Sequence, residues 1–196
     1  MRIFVAGASG VIGLRLVPLL VAADHSVAAM TRSQSKLELL GALGAEPVVC
    51  DVYDLDALCE ALAAFRPDLV LDELTDLPDD PMRIPEMAKA NSRMRREGTK
   101  HLLAAAKASG VGRFVAQSVA WQLPGDGAAA VKEHEEAVLN AGGVVLRYGQ
   151  FYGPSTYFEN ELPSPPRVLI DDAARRTLDM LDAPSGIITI AEDHTG

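Results

Sequence analysis

Short apolar runs alternate along this chain with stretches whose apolar residues recur every three or four positions. The first run, Arg2–Ala6, is stopped by Gly7 and reads as a strand. Further strands are expected at 26–30, 47–50, 69–74, 113–117, 143–148 and 187–190. Helices are expected between them at 11–23, 33–43, 54–65, 85–108, 129–140 and 171–181. Leu55, Leu58, Leu62 and Phe65 keep helical spacing behind Asp54, a natural N-cap. Ser33 is placed to cap the second helix, and Gly44 to stop it. Residues 150–167 are rich in proline and read as loop. Strands alternating with helices of this length require crossovers, so the expected fold is α/β, a doubly wound parallel sheet with helices on both faces.

The first strand and first helix are joined by Gly7-Ala8-Ser9-Gly10-Val11-Ile12-Gly13. Glycines at this spacing, in this context, suit a turn that holds a diphosphate. Gly7 would permit the tight turn, Gly10 would let the diphosphate approach, and Gly13 would bring the helix close. Ser9, Val11 and Ile12 complete the turn, and the helix start offers unpaired amides and a partial positive charge. A dinucleotide cofactor is therefore expected. The second strand ends Ala29-Met30-Thr31-Arg32, without the carboxylate that would hold a ribose 2′-hydroxyl. Arg32 would instead pair with a 2′-phosphate, which favours NADP and leaves NAD as the alternative. Asp51 is a candidate for the adenine edge.

The totals remove several classes of function. Hydrophobic residues make up 48 % and charged ones 23 %, an ordinary globular mix. A net charge of −9 argues against a nucleic-acid partner. The basic cluster Arg93, Arg95, Arg96 falls in a helical stretch and reads as a solvated face. Cys50 and Cys59 fit no zinc spacing, so no metal is expected. A secretion signal at 11–23 is interrupted by Arg15, and no apolar run is long enough to cross a bilayer. A cytoplasmic protein with no membrane partner is expected.

Beyond the glycine turn, the chain carries Asp51-Val52, LTDLP at 74–78, EGTKHLL at 97–103, RFVAQS at 113–118, VVLRYGQFYGP at 144–154 and IDDAARRTLDML at 170–181. With these motifs it resembles the short-chain dehydrogenase/reductase superfamily, in the extended or atypical branch that includes NAD-dependent epimerases and dehydratases. The resemblance implies one NAD(P)-binding Rossmann-like domain over 1–196. It also implies hydride transfer on a small carbonyl or sugar-like substrate, with Asp51, Val52 and Thr75 beside the cofactor. The family uses a serine, a tyrosine base, and a lysine four residues after the tyrosine. Ser118 matches the serine and Lys132 aligns with the lysine, but Ala128 stands where the tyrosine belongs.

Tyr152 is the substitute proton carrier, with Tyr148 and His134 as alternatives; His134 reads as lying on a solvated face among Glu133, Glu135 and Glu136. A second alignment, through VKEHEEAVL at 131–139, makes Lys132 an exposed helix residue. The substrate-side segment at about 150–170 is short against the family, as is the loop at 121–130, so the substrate lobe is reduced, supplied by another subunit or lost by shortening. A homodimer through the helices near 85–108 and 129–140 would fit the family. Two readings of function stand: an oxidoreductase or epimerase-like enzyme, and a non-catalytic NADP-binding sensor that has lost its proton-transfer residues.

Overall fold

A computed structural model describes residues 1–193. Seven strands form one parallel sheet: β1 (Arg2–Ala6), β2 (Ser26–Thr31), β3 (Glu46–Val49), β4 (Leu69–Asp72), β5 (Arg113–Val119), β6 (Val144–Tyr148) and β9 (Gly186–Ile190). Their order is β3-β2-β1-β4-β5-β6-β9, and every pairing is parallel. The winding reverses between β1 and β4, which opens a crevice at their carboxyl ends.

Side chains alternate across the sheet and build two apolar layers. Ile3, Val5, Leu69 and Leu71 face α1 (Gly13–Ala22), α2 (Leu37–Ala42) and α7 (Ile170–Leu178). Phe4, Ala6 and Val70 face α3 (Leu55–Phe65), α5 (Thr99–Ala108) and α6 (Gly125–Asn140). Asp54 caps α3 as expected, its Oδ1 accepting the Ala57 amide at 3.0 Å. Gly44 takes a left-handed φ of +87° where the second helix stops.

Several boundaries differ from the sequence reading. The long helix expected at 85–108 is α4 (Ile84–Arg93), a π-helical turn at Met94–Gly98, and α5. Ser33 does not cap; its hydroxyl meets that of Ser35 at 2.8 Å, and a 3-10 turn at Gln34–Lys36 precedes α2. Helix α6 starts at Gly125, inside the stretch read as a compressed loop, because Pro124 supplies the extended entry. The proline-rich segment is not all loop: β7 (Gln150–Tyr152) pairs in parallel with β8 (Arg167–Leu169). Strands of three residues are too short to leave a period-two signal.

Candidate functional site

The glycine turn sits where the winding reverses. Gly7 has φ +84°, and a Cβ there would lie 2.6 Å from the Glu73 carbonyl oxygen at the exit of β4. Only glycine lets the two strand exits come this close. A Cβ on Gly13 would lie 2.6 Å from the carbonyls of both Gly7 and Ala8, so α1 starts pressed against the turn itself. The Gly10 amide donates to the Gly7 carbonyl at 2.9 Å and closes the loop. The amides of Val11, Ile12 and Gly13 make no hydrogen bond among the described residues. A cradle that a methyl group would fill, rimmed by free N–H donors, fits a diphosphate. Ser9 hydrogen-bonds Thr31 at 2.9 Å, which ties the turn to the end of β2.

Around this turn the expected cofactor residues fall into two sets. Arg32 leaves β2 with 62 % of its side chain exposed and donates to Asp76 at 2.9 Å. Thr75 is exposed on the same rim. Asp51 and Val52 follow β3 and make local contacts. The Asp51 carboxylate accepts the Tyr53 amide at 3.0 Å, a local turn, and Val52 is buried in the α3–α5 layer with its carbonyl against His101.

The expected catalytic trio is not brought together. Ser118 is 0 % exposed and donates to Glu135 Oε1 at 2.6 Å. Arg147 clamps the same carboxylate at 2.9 and 2.5 Å. Burial works against charge on Glu135, but the donors from Arg147 and Ser118 outweigh it and hold the carboxyl below its usual range. Lys132 has 76 % of its side chain in solvent beside Glu136 at 3.7 Å, the exposed helix residue of the second alignment. Tyr152 donates to Glu192, which also accepts Arg167 at 3.0 Å. That hydrogen bond pushes the phenol up, away from the ionisation a general base needs.

The two alternatives are structural too. His134 is buried, not solvated: its Nδ1 lies 2.6 Å from the Thr99 hydroxyl and its Nε2 2.9 Å from the Gln117 carbonyl. A carbonyl only accepts, so Nε2 carries the proton and Nδ1 accepts from Thr99. Burial, with Arg95 nearby, lowers this imidazole to about 4. Tyr148 is buried and shares its hydroxyl with Thr177 at 2.6 Å and Glu73 at 3.1 Å.

Besides His134, the buried ionisable residues include Asp72, Glu73, Asp76, Arg95 and Glu135, whose burial no pattern in the sequence marks. Glu73 follows β4 directly, and burial drives its carboxyl well above the ordinary range. One periodic signal was available for their surroundings. Ala130, His134 and Val138 recur every four residues along α6, and all are buried.

A parallel sheet that reverses at a glycine cradle defines a dinucleotide-binding α/β protein of the Rossmann type. A family model described as NAD(P)H-binding matches residues 7–143. The chain belongs to that NAD(P)H-binding family. A 3-diazoavenalumate denitrifying reductase from a Streptomyces species is 38 % identical over 86 % of this chain and 62 % of its own length. A 4-hydroxy-2-methyl-3-oxo-4-farnesyl-3,4-dihydroquinoline-1-oxide ketoreductase from Stigmatella aurantiaca is 34 % identical over 59 % of this chain and 32 % of its own. The chain thus spans less than two thirds of either relative. Solved UDP-glucose 4-epimerases share the fold. The Thermus thermophilus enzyme, in complex with NAD, superposes with a TM-score of 0.80 at 20 % identity, over 97 % of this chain and 78 % of that one. The Campylobacter jejuni UDP-Glc/GlcNAc 4-epimerase gives 0.81 at 14 % identity, over 98 % and 79 %. The shared architecture is that of these epimerases. Among the described residues no helix is long and apolar enough to cross a membrane.

Proposed function

We propose that this chain is an NAD(P)H-dependent reductase that delivers hydride to a small electrophilic acceptor. The observation that carries the reading is the glycine cradle with its three free amides, in a chain whose relatives are reductases. Gly7, Gly10 and the amides of Val11–Gly13 would hold the diphosphate; the nicotinamide supplies the hydride when bound. NADP is the preferred form, because the end of β2 presents Arg32 and no carboxylate. Asp76 holds Arg32 in the rim, and a 2′-phosphate would share that guanidinium. Pairing of two copies through α4–α5 and α6 belongs to the same reading, and light scattering tests it.

Loss of reduced-nicotinamide absorbance with a panel of aldehydes, ketones, quinones and diazo compounds tests the chemistry. Calorimetric titration with NADPH and NADH tests the cofactor. The Arg32→Ala protein should lose its preference for NADPH, and an unchanged ratio of dissociation constants overturns that assignment. A second reading, a redox sensor, is favoured by one observation: Ser118, Lys132 and Tyr152 are each committed to separate partners. Tight NADPH binding with no turnover on any acceptor would select it.

A further inference from the structure

The interior holds a guanidinium that nothing answers. Arg95 is 5 % exposed, and its Nε and Nη1 are sealed with no hydrogen-bond partner among the described residues. A buried charge without a partner costs several kcal/mol, so native proteins rarely keep one idle. Two carboxylates act on it from a distance, Asp72 and Glu135, and neither hydrogen-bonds its Nε or Nη1. Asp72 accepts the Leu74 amide at 3.1 Å, and both oxygens of Glu135 are taken by Ser118 and Arg147. Burial lowers the Arg95 guanidinium, and the charges of Asp72 and Glu135 act against that lowering.

Its position is equally specific. Arg95 lies in the π-helical turn at Met94–Gly98, an insertion that proteins often keep at functional sites. The groups around it, Asp72, Glu135 and through Glu135 the pair Ser118 and Arg147, stand at the carboxyl ends of β4, β5 and β6. Asp72 immediately precedes Glu73, whose carbonyl abuts Gly7 of the cofactor cradle. The charges of Arg95, Asp72, Glu135 and Arg147 balance. Such a setting accepts one added negative charge far more readily than two.

We propose that Arg95 receives a carboxylate of the acceptor, so that the molecule reduced at this site is a monocarboxylate. The proposal rests on the reductase reading and names the substrate class for it. It also gives the buried guanidinium the charge-assisted hydrogen bonds it lacks.

The test is calorimetric titration of the full chain, with and without saturating NADP⁺. The probes are benzoate, its neutral counterpart benzamide, and the dianion phenylphosphonate. Benzoate should bind at least about tenfold more tightly than either of the others, the scale of a charge-assisted hydrogen bond in a buried site. Arg95→Gln should drop benzoate to the level of benzamide and leave benzamide unmoved, and Arg95→Lys should restore part of the difference. Asp72→Asn keeps Arg95 in place and removes an opposing charge, so it should tighten benzoate severalfold without changing benzamide. That arm decides the matter if the Arg95 variants do not fold. Equal binding of benzoate and benzamide, benzoate binding that survives Arg95→Gln, or phenylphosphonate binding as tightly as benzoate overturns the proposal. So does an Asp72→Asn protein with unchanged benzoate affinity. NADPH titration on the same samples keeps the two claims apart: its failure removes the reductase reading, whereas failure of benzoate with cofactor bound removes the Arg95 assignment alone.

Discussion

His134 should make the protein sensitive to acid in a window its exposed residues cannot explain. In the folded chain the imidazole is sealed between the Thr99 hydroxyl and the Gln117 carbonyl and is lowered from 6.5 to about 4. Above the unfolded value both states carry neutral histidine, and the full stability is present. As pH falls from 6.5 toward 4, the unfolded chain takes up a proton that the folded chain refuses. Each unit then costs about 1.4 kcal/mol, and the loss approaches about 3 kcal/mol by pH 4. Asp72 hides this in a simple melt. Burial raises its carboxyl from 3.8 to about 6, so falling pH stabilises the fold over nearly the same window. The difference between wild type and His134→Gln isolates the histidine, because glutamine can still donate to the Gln117 carbonyl without titrating. Urea unfolding at pH 7.5 and 4.5 should show wild type losing about 2–3 kcal/mol relative to the variant. A difference that stays flat within about 0.5 kcal/mol, the scatter of ordinary surface substitutions, refutes the buried neutral imidazole.

Gly7→Ala forces a Cβ to 2.6 Å from the Glu73 carbonyl at φ +84°; it should cost at least about 1–2 kcal/mol in a thermal melt and weaken NADPH binding by calorimetry. Ser118→Ala removes a buried donor to Glu135, so stability should fall by about 1–3 kcal/mol while hydride-transfer rate per folded molecule stays within about threefold. Lys132→Ala should leave both cofactor binding and turnover unchanged, since its ammonium lies in solvent. Glu73→Gln mimics the protonated carboxyl that burial favours. Wild type should therefore weaken relative to the variant as pH climbs above about 4.5, and a pH-independent difference in melting temperature contradicts a neutral Glu73.

What could be read from the sequence and what could not divide along a physical line. Strands β1, β2, β4, β5 and β6 were legible because each is an apolar run ended by a turn signal. The glycine cradle was legible because backbone demands pick out one residue type. The stretch Lys132-Glu133-His134-Glu135-Glu136 reads as solvated all round because it is a run of charged residues. Helix geometry instead turns His134 and Glu135 inward and leaves Lys132, Glu133 and Glu136 outside. Arg95 reads as surface on the same grounds; it falls four residues before the buried Thr99, but the π-helical turn between them breaks the ordinary period. Ser118 was correctly placed at the end of β5, yet position along a strand does not say which partner the hydroxyl meets across the sheet.

These corrections bear on the chemistry together. The side chains expected to move protons are satisfied within the fold, so the groups left open at the carboxyl ends of the strands decide what can bind there. They include the amides of Val11, Ile12 and Gly13 and the exposed Arg32 and Thr75 side chains, while Arg95 and the unpartnered Oε2 of Glu73 are sealed in the interior. Tyr148 and Oε1 of Glu73 share a hydrogen bond at 3.1 Å, and burial raises the Glu73 carboxyl, which favours its protonated form. The free amides and Arg32 are donors, in a chain whose net charge is −9. Such donors can hold anionic oxygens and stabilise negative charge as it develops. That suits delivery of a hydride to an electron-poor acceptor, on which negative charge develops.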